Sequence, residues 1–192
     1  MNKEDIIQQA VAYIKLLFAG NSDGHDAEHT MRVYRNAQFI LESYPEADRF
    51  ITLLAALLHD ADDHKLFKTE NHENARCFLR EHEIADETIR TICEIIGAVS
   101  FSQNRGKTPE TLEGKIVQDA DRLDALGAVG IARTFAYGGK AGRSLDDSIQ
   151  HFHEKLLLLK DEMNTDAAKQ IAVLRHRYME EFLYEYNRET GK

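Results

Sequence analysis

The chain has 192 residues, of which 43% are hydrophobic, so it is long enough for one globular domain with its own hydrophobic core. Its net charge is −9 and its basic residues are scattered, which argues against nucleic acid as the main partner but leaves room for a small anion in a local pocket. No stretch reaches the roughly 18 apolar residues of a membrane span, the N-terminus lacks a signal-peptide pattern, and two cysteines do not suggest a disulfide framework. We therefore expect a cytoplasmic protein that is neither secreted nor inserted into a membrane.

Helical periodicity runs through nearly every segment, and we find no convincing strand. The sequence therefore predicts an all-α fold of about eight helices. The first helix is expected from about Lys3 to Phe18, with Asn2 as its N-cap. The second is expected to begin after Asp26 as cap and to end near Tyr44.

A third helix, expected to begin at Pro45, contains the stretch FITLLAALLHDA, which is apolar on almost every face. Such a helix has to be surrounded by others, so we expect it at the centre of the fold. Two amphipathic helices, near Asn71–His82 and Asp86–Val99, are followed by the polar loop SFSQNRGKTPE.

Thr108, with the proline and glutamate that follow it, is expected to open the helix that carries KIVQDADRLDALG. The glycine-rich, basic stretch AYGGKAGRS then predicts a flexible connector. Beyond it we expect one helix over Leu145–Met163 and a long final helix that is capped by Thr165 and ends near Arg188.

Three of these helices place an imidazole or a carboxylate where their pattern calls for burial. His29 lies on the first turn of the second helix, His59 and Asp60 end the central helix, and Asp121 lies between apolar positions of a later helix. One such histidine is more often a core residue than a ligand, but two imidazoles with two carboxylates suit a divalent ion. Adjacent helical residues point about 100° apart, so His59 and Asp60 can share an ion only if it lies close to the helix surface.

Four ordered segments carry a family resemblance: GHDAEHTMRV, LLHDADDHK, IVQDADRLDALGAVGIARTFAYGG and HFHEKLLLLKDEMNT. With them the chain resembles the HD-domain superfamily of metal-dependent phosphohydrolases, and more closely its small single-domain bacterial members. The resemblance implies one all-helical HD domain over residues 1–192. Its metal-site segments would lie within residues 25–125, and its C-terminal helices, residues 145–190, would pack on that part.

The same resemblance implies one divalent ion that is held by His29, His59, Asp60 and Asp121. The superfamily's last aspartate usually precedes a basic or small residue, as Asp121 precedes an arginine. Asp119 stays the alternative for this last ligand.

Manganese is the expected ion, and iron, nickel, cobalt, zinc or magnesium would also suit histidine and carboxylate ligands. Dinuclear relatives use further histidines after the HD pair, whereas His72 and His82 lie in stretches typical of solvated helix faces. We therefore expect one ion. A di-iron oxygenase would need more histidine ligands than these.

Asp63 and His64 follow the HD pair by about one helical turn, close enough to reach a reacting group. In similar HD nucleotidases an acidic or imidazole group at this distance assists the attacking water, so both residues are candidate catalytic residues. The alternative is that DADDHK simply caps a helix end with polar side chains.

Phosphate oxygens need cationic donors, and four residues are candidates for binding them. Lys65 lies beside the HD pair and Arg122 beside the last predicted ligand. His151 and Lys155 lie one helical turn apart in HFHEKLL, where similar proteins also carry a histidine and a lysine. For Arg122 the alternative is an ion pair with Asp119 or Asp26.

The resemblance implies hydrolysis of phosphate esters or anhydrides, with nucleotides as the expected substrates. Spacing alone does not choose between a phosphatase and a pyrophosphohydrolase. The alternative from another class is a helical nucleotide sensor or scaffold without turnover. Tyr178, Phe182 and Tyr186 recur at four-residue spacing on the final helix, which predicts a packing stripe and makes a homodimer the protein partner to test.

Overall fold

The computed structural model describes residues 2–20, 26–64, 66–99, 104 and 106–192, and these residues are helical with no strand among them. The all-α expectation is confirmed. The helices are α1 Lys3–Leu17, α2 Ala27–Leu41, α3 Arg49–Leu58, α4 Glu73–Glu81, α5 Asp86–Val99, α6 Leu112–Asp124, α7 Gly127–Lys140, α8 Leu145–Glu154 and α9 Asp166–Thr190, with a 3₁₀ segment at Leu156–Glu162. Within the described ranges, none of these helices is both long and apolar enough to cross a membrane.

The chain divides into two compact units, Met1–Asp121 and Arg122–Lys192. Whether it acts as one HD domain over its whole length stays a prediction.

Helix α3 forms the centre of the first unit. It packs against α1, α2 and α5, and every residue from Thr52 to Leu58 is buried. This confirms the prediction that a helix with apolar residues on almost every face is surrounded by other helices. The helix begins later than expected: Pro45 lies in a turn, and the Asp48 side chain caps α3 by accepting from the amides of Phe50 and Ile51 at 2.9 and 3.1 Å.

Three predicted N-caps are confirmed. Asn2 accepts from the Asp5 amide at 2.8 Å, Asp26 from the His29 amide at 2.7 Å, and Thr165 from the Ala168 amide at 3.3 Å. These side chains satisfy amides that a helix cannot pair internally.

The cap expected for α6 was wrong. This helix begins at Leu112, and the Thr111 hydroxyl, not that of Thr108, accepts from the Gly114 amide at 3.1 Å. Thr111 is the last hydroxyl residue before the apolar pattern of α6 begins, so it is the nearer cap.

The connector expected at AYGGKAGRS was wrong for its first half, because α7 continues through Gly138 and Gly139 to Lys140; residues 141–144 connect α7 to α8. Two glycines of α7 are explained by close packing. A Cβ on Gly130 would lie 2.2 Å from the backbone oxygen of Ala125, and one on Gly138 would lie 2.4 Å from the Ser148 hydroxyl. From composition alone these glycines predict an interrupted helix. The contacts with Ala125 and Ser148 explain instead why no larger residue fits at these positions.

The single helix expected over Leu145–Met163 is interrupted. Helix α8 ends at Glu154, and Lys155 departs from helical geometry with φ −137° and ψ −59° before the 3₁₀ segment begins. In the second unit α7 packs against α8 and α9.

An aromatic cluster joins these three helices. The ring centroids of Phe135, Phe152 and Phe182 lie 5.8–6.0 Å apart, in the range of attractive aromatic pairs.

We expect Gly130→Ala to destabilise the protein by about 1–3 kcal/mol, because the new methyl group would overlap a backbone carbonyl that cannot rotate away. Gly139→Ala is the matched control in the same helix. Its Cβ would meet nothing within 4 Å, so it should be neutral or stabilising by up to about 1 kcal/mol. Urea unfolding of both variants measures the difference, and equal midpoints would contradict the packing role of Gly130.

Candidate metal centre

His59 is oriented by the end of the central helix. It follows the last residue of α3 and keeps helical dihedrals, φ −60° and ψ −34°. Its Nδ1 lies 2.9 Å from the backbone oxygen of Ala56. A carbonyl only accepts, so Nδ1 donates, and in the neutral ring Nε2 presents a lone pair.

His29 is positioned by the cap of α2. Asp26 accepts from the backbone amide of His29, which fixes the first turn of the helix. The His29 side chain is only 3% exposed. Its Nε2 lies 3.3 Å from Nε2 of His59, so two helices of the first unit direct imidazole nitrogens at one point.

Two carboxylates complete the cluster. Oδ2 of Asp60 lies 3.4 Å from Nε2 of His29 and 3.5 Å from Nε2 of His59. Oδ1 of Asp121, on α6, lies 3.4 and 3.9 Å from the same two nitrogens. The neighbouring residues His59 and Asp60 therefore both reach one point, as a site close to the helix surface requires. We call His29, His59, Asp60 and Asp121 the HHDD cluster.

The donor set fits a divalent cation. With Nδ1 of His59 donating to a carbonyl, lone pairs of nitrogen and oxygen converge in the cluster, an arrangement that a cation stabilises. Two donors about 2.1 Å from one ion lie roughly 3.0–3.4 Å apart in octahedral or tetrahedral geometry. The contacts between the histidine nitrogens and the carboxylate oxygens span 3.4–3.9 Å, close to that range.

Among the ligand candidates, the Asp121 carboxyl has a lowered pKa. Its burial would raise its pKa, but a hydrogen bond from His29 and the positive charges that His29 and His59 carry when protonated outweigh that effect, and the pKa lies below its ordinary value. The surroundings of Asp121 therefore favour the ionised form, which is the form that binds metals.

Of the two aspartates considered for the last ligand, Asp121 belongs to the group formed by His29 and His59. Asp119 is fully buried, and among the described residues neither Asp119 nor Asp60 joins that group, although Asp60 contacts both histidines. Asp119 and Asp121 both lie on one turn of α6, and only the direction in which each side chain points decides which one reaches the histidines.

The polar turn after the HD pair has two functions. Asp62 accepts from the amides of Asn74 and Ala75 at 2.9 and 3.1 Å. It thus caps α4 from a distance. The Asn74 side chain in turn donates to the Ala61 carbonyl at 2.8 Å. These bonds anchor the turn that carries the two candidate catalytic residues.

The candidate catalytic residues differ in exposure. Asp63 is 9% exposed and His64 is 72% exposed, and Oδ1 of Asp63 lies 3.8 Å from Nδ1 of His64. Of the candidate phosphate ligands, Lys65 lies outside the described residues.

His72 does not lie on a solvated helix face. It precedes α4 in the left-handed conformation, φ 58°, and its Nε2 would be 3.6 Å from a Cβ on Gly97 of α5. Burial lowers its pKa, partly opposed by the charge of Asp62, while Arg76 lowers it further. Among the described residues it is not grouped with the HHDD cluster.

The other candidates belong to the second unit. Arg122 is buried, donates to the Glu162 carbonyl, and lies 3.5 Å from the Glu162 carboxylate. Glu162 is therefore one partner of Arg122 that the sequence did not indicate. Burial, and then the charges of Lys155 and Arg143, lower the pKa of His151.

Two side-chain amides, which sequence patterns did not single out, link α6 to other parts of the first unit. The Asn36 side chain of α2 donates to the Ala120 carbonyl at 3.0 Å, next to Asp121. The Gln118 side chain donates to the carbonyls of Ala98 and Lys107 at 3.1 and 3.2 Å. Only the tertiary structure gives such uncharged side chains a visible role.

Comparison with known proteins identifies similar chains. The model of the HD domain matches residues 26–126. The uncharacterised protein YpgQ of Bacillus subtilis is 40% identical over 185 residues, which cover 92% of this chain and 89% of that protein.

Solved structures give the same picture. The crystal structure of Bacillus subtilis YpgQ in complex with ADP aligns with a TM-score of 0.84 and 35% identity over 98% of this chain and 97% of that one. An HD-superfamily hydrolase from Bacillus thuringiensis aligns with a TM-score of 0.82 and 41% identity over 99% of each chain.

We expect Asp62→Ala to lower the free energy of unfolding by about 0.5–2 kcal/mol, because two amides at the start of α4 lose their acceptor. Asp62→Asn keeps one carbonyl oxygen and should cost less. Chemical denaturation of the two variants measures both effects. A loss no larger for alanine than for asparagine would show that this cap does not stabilise α4.

Proposed function

This chain belongs to the HD domain family, and on that premise we propose that it is a metal-dependent phosphohydrolase that acts on nucleotides. HD domains are typically dependent on a divalent metal, and solved relatives include an HD-superfamily hydrolase. The ADP complex of YpgQ supports a nucleotide as the ligand class. The observation that carries the proposal is the convergence of the HHDD cluster, whose histidine nitrogens lie 3.3 Å apart.

In this proposal the HHDD cluster holds one divalent ion, with manganese favoured. When bound, such an ion lowers the pKa of water and withdraws charge from a phosphoryl oxygen. The chain supplies the rest. The Ala56 carbonyl keeps His59 in the tautomer that presents Nε2, and the Asp26 cap holds His29 in place.

Asp63 is proposed to orient the attacking water and to accept its proton. It is mostly buried and lies on a turn that the bonds of Asp62 and Asn74 hold to α4, so its carboxylate is held more firmly than the exposed ring of His64. A pre-oriented carboxylate fits the role of a general base. His64 is proposed as a secondary participant that pairs with Asp63.

The binding of phosphate oxygens is proposed for Lys65, Arg122, His151 and Lys155. The contacts of Arg122 with Glu162 set a condition on its role, because a phosphate would have to share that guanidinium with a carbonyl and a carboxylate. For His151 the lowered pKa favours the neutral ring, which can donate one hydrogen bond to a phosphate oxygen.

We expect His59→Ala and Asp121→Ala each to lose manganese binding and nucleotide hydrolysis. Removing a residue that only supports a ligand costs about 10–100-fold, so removing a ligand should cost more than about 100-fold. Titration calorimetry with manganese and a phosphate- and pyrophosphate-release assay over nucleotides measure both effects.

Glu28→Ala is the matched control, because it removes an exposed carboxylate next to His29 on α2. Full activity in either ligand variant would contradict the proposal. Nucleotide binding by the wild-type chain without metal and without turnover would instead favour the sensor function.

We expect Asp63→Asn to lower kcat by about 10²-fold or more while manganese affinity stays near that of the wild type, because only the proton acceptor is lost. His64→Ala should have a smaller effect, since its ring is largely in solvent. Steady-state kinetics over a pH series separate the two variants. An unchanged kcat for Asp63→Asn would leave this turn with a structural role only.

A further inference from the structure

His72 lies at a reversal of the chain just before α4. Its backbone has the left-handed dihedrals φ 58° and ψ 46°, and Asn71 before it also has a positive φ, 52°. Residues that carry a side chain adopt this region rarely, and such conformations are frequent at functional sites. Two of them in succession show that the surrounding structure imposes the conformation of His72.

The start of α4 is fastened to the turn that follows Asp60. The Asn74 side chain donates to the Ala61 carbonyl at 2.8 Å, and the Asp62 carboxylate accepts from two amides of the first turn of α4. These bonds join the two residues directly after Asp60 to residues two and three positions after His72. His72 is therefore held beside the Asp60 side of the HHDD cluster.

The ring of His72 lies against the last part of α5. Its Nε2 would be 3.6 Å from a Cβ on Gly97, and the carbonyl of the next residue, Ala98, accepts from the Gln118 side chain at 3.1 Å. Gln118 lies about one helical turn before Asp121 on α6. The imidazole is thus flanked by the segments that carry both carboxylates of the HHDD cluster.

The imidazole of His72 is able to donate to a ligand. It is half-buried, it does not cap α4, and no hydrogen bond to its ring is found within the described ranges. Burial lowers its pKa, the charge of Asp62 opposes this effect, and the charge of Arg76 adds to it. The neutral ring, which has one N–H donor, is therefore the favoured form.

The first unit has few groups near the cluster that can bind a phosphate. Asp60, Asp62 and Asp63 place three carboxylates on one turn, and ionised carboxylates only accept hydrogen bonds. Of the proposed phosphate ligands, Lys65 lies outside the described residues and the other three belong to the second unit. Phosphate oxygens are acceptors too, so a substrate at the cluster requires N–H donors on this side.

We propose that His72 binds the phosphate chain of the substrate by donating a ring N–H to a phosphoryl oxygen. This inference rests on the proposed function and deepens it, because it adds a substrate contact from the first unit. A second metal ion fits the position less well. Both oxygens of Asp62 already accept from amides of α4, and among the described residues His72 joins no group of metal-binding donors.

His72→Gly tests this contact, because glycine adopts the left-handed conformation without strain and lacks the ring. Methylenediphosphonate, a diphosphate analogue that is not hydrolysed, serves as the probe, and titration calorimetry with manganese present measures its affinity. We expect the affinity to fall by about 10–100-fold, the range expected when a hydrogen bond to a charged group is lost. The value of kcat/KM for the best substrate among ATP, GTP, CTP and UTP should fall in parallel. Manganese affinity should stay that of the wild type.

Asn71→Gly and Glu83→Gly are the matched controls. Both positions have a positive φ, 52° and 54°, so glycine relieves the same backbone strain in the adjacent residue and at the other end of α4. Neither variant should change the affinity for methylenediphosphonate or kcat/KM. Circular dichroism and urea unfolding show whether each variant is folded as the wild type is.

Four results would overturn the inference. They are a wild type that does not bind methylenediphosphonate, an undiminished affinity in His72→Gly, an equal loss in Asn71→Gly, and the loss of a bound manganese ion from His72→Gly. The third would assign the effect to the turn, and the fourth would make His72 a metal ligand. A wild type that binds the analogue through His72 but hydrolyses no nucleotide would contradict the proposed function alone.

Discussion

The cost of burying polar groups governs the site. Helix α3 is buried along nearly its whole length and is followed directly by His59 and Asp60, and His29 from α2 is buried beside them. Imidazoles and carboxylates removed from water need partners, and an isolated carboxylate would be strongly destabilising there. The two histidine nitrogens lie 3.3 Å apart and within 3.9 Å of a carboxylate oxygen of Asp60 and of Asp121, an arrangement that a shared cation stabilises.

Helix ends do much of the positioning. Asp26 caps α2 and fixes His29, the Ala56 carbonyl orients His59, and Asp62 caps α4 while holding the turn that carries Asp63. Each is a bond that a helix terminus would need in any case. In this chain the same bonds orient groups proposed for catalysis, so the stability of the fold and the geometry of the site depend on shared contacts. Asn36 adds a direct link between α2 and α6, next to Asp121.

Arg122 illustrates why neighbourhood in sequence is weak evidence for a role. It follows Asp121 directly, which makes it an attractive phosphate ligand, yet its guanidinium is buried and contacts the carbonyl and carboxylate of Glu162. A buried arginine needs such partners whatever its function. The same reasoning applies to α9, where four-residue spacing predicts one aromatic stripe but the structure separates an inward Phe182 from an exposed Tyr178.

The sequence by itself determined the helical class, the central position of α3 and three of the N-caps, because each rests on local periodicity or short-range capping. The family motifs predicted His29, His59 and Asp60 as metal ligands, with Asp121 or Asp119 as the last one. Tertiary structure alone decided the rest. Gly130 is needed because the Ala125 carbonyl of the preceding turn approaches it too closely for a Cβ, Gly138 because the Ser148 hydroxyl of α8 does, and Asp62 caps a helix that begins about a dozen residues later. Likewise, only the orientation of α6 places Asp121 rather than Asp119 beside the histidines. These outcomes depend on how the turns and helices pack against one another, and periodicity and capping patterns do not encode them.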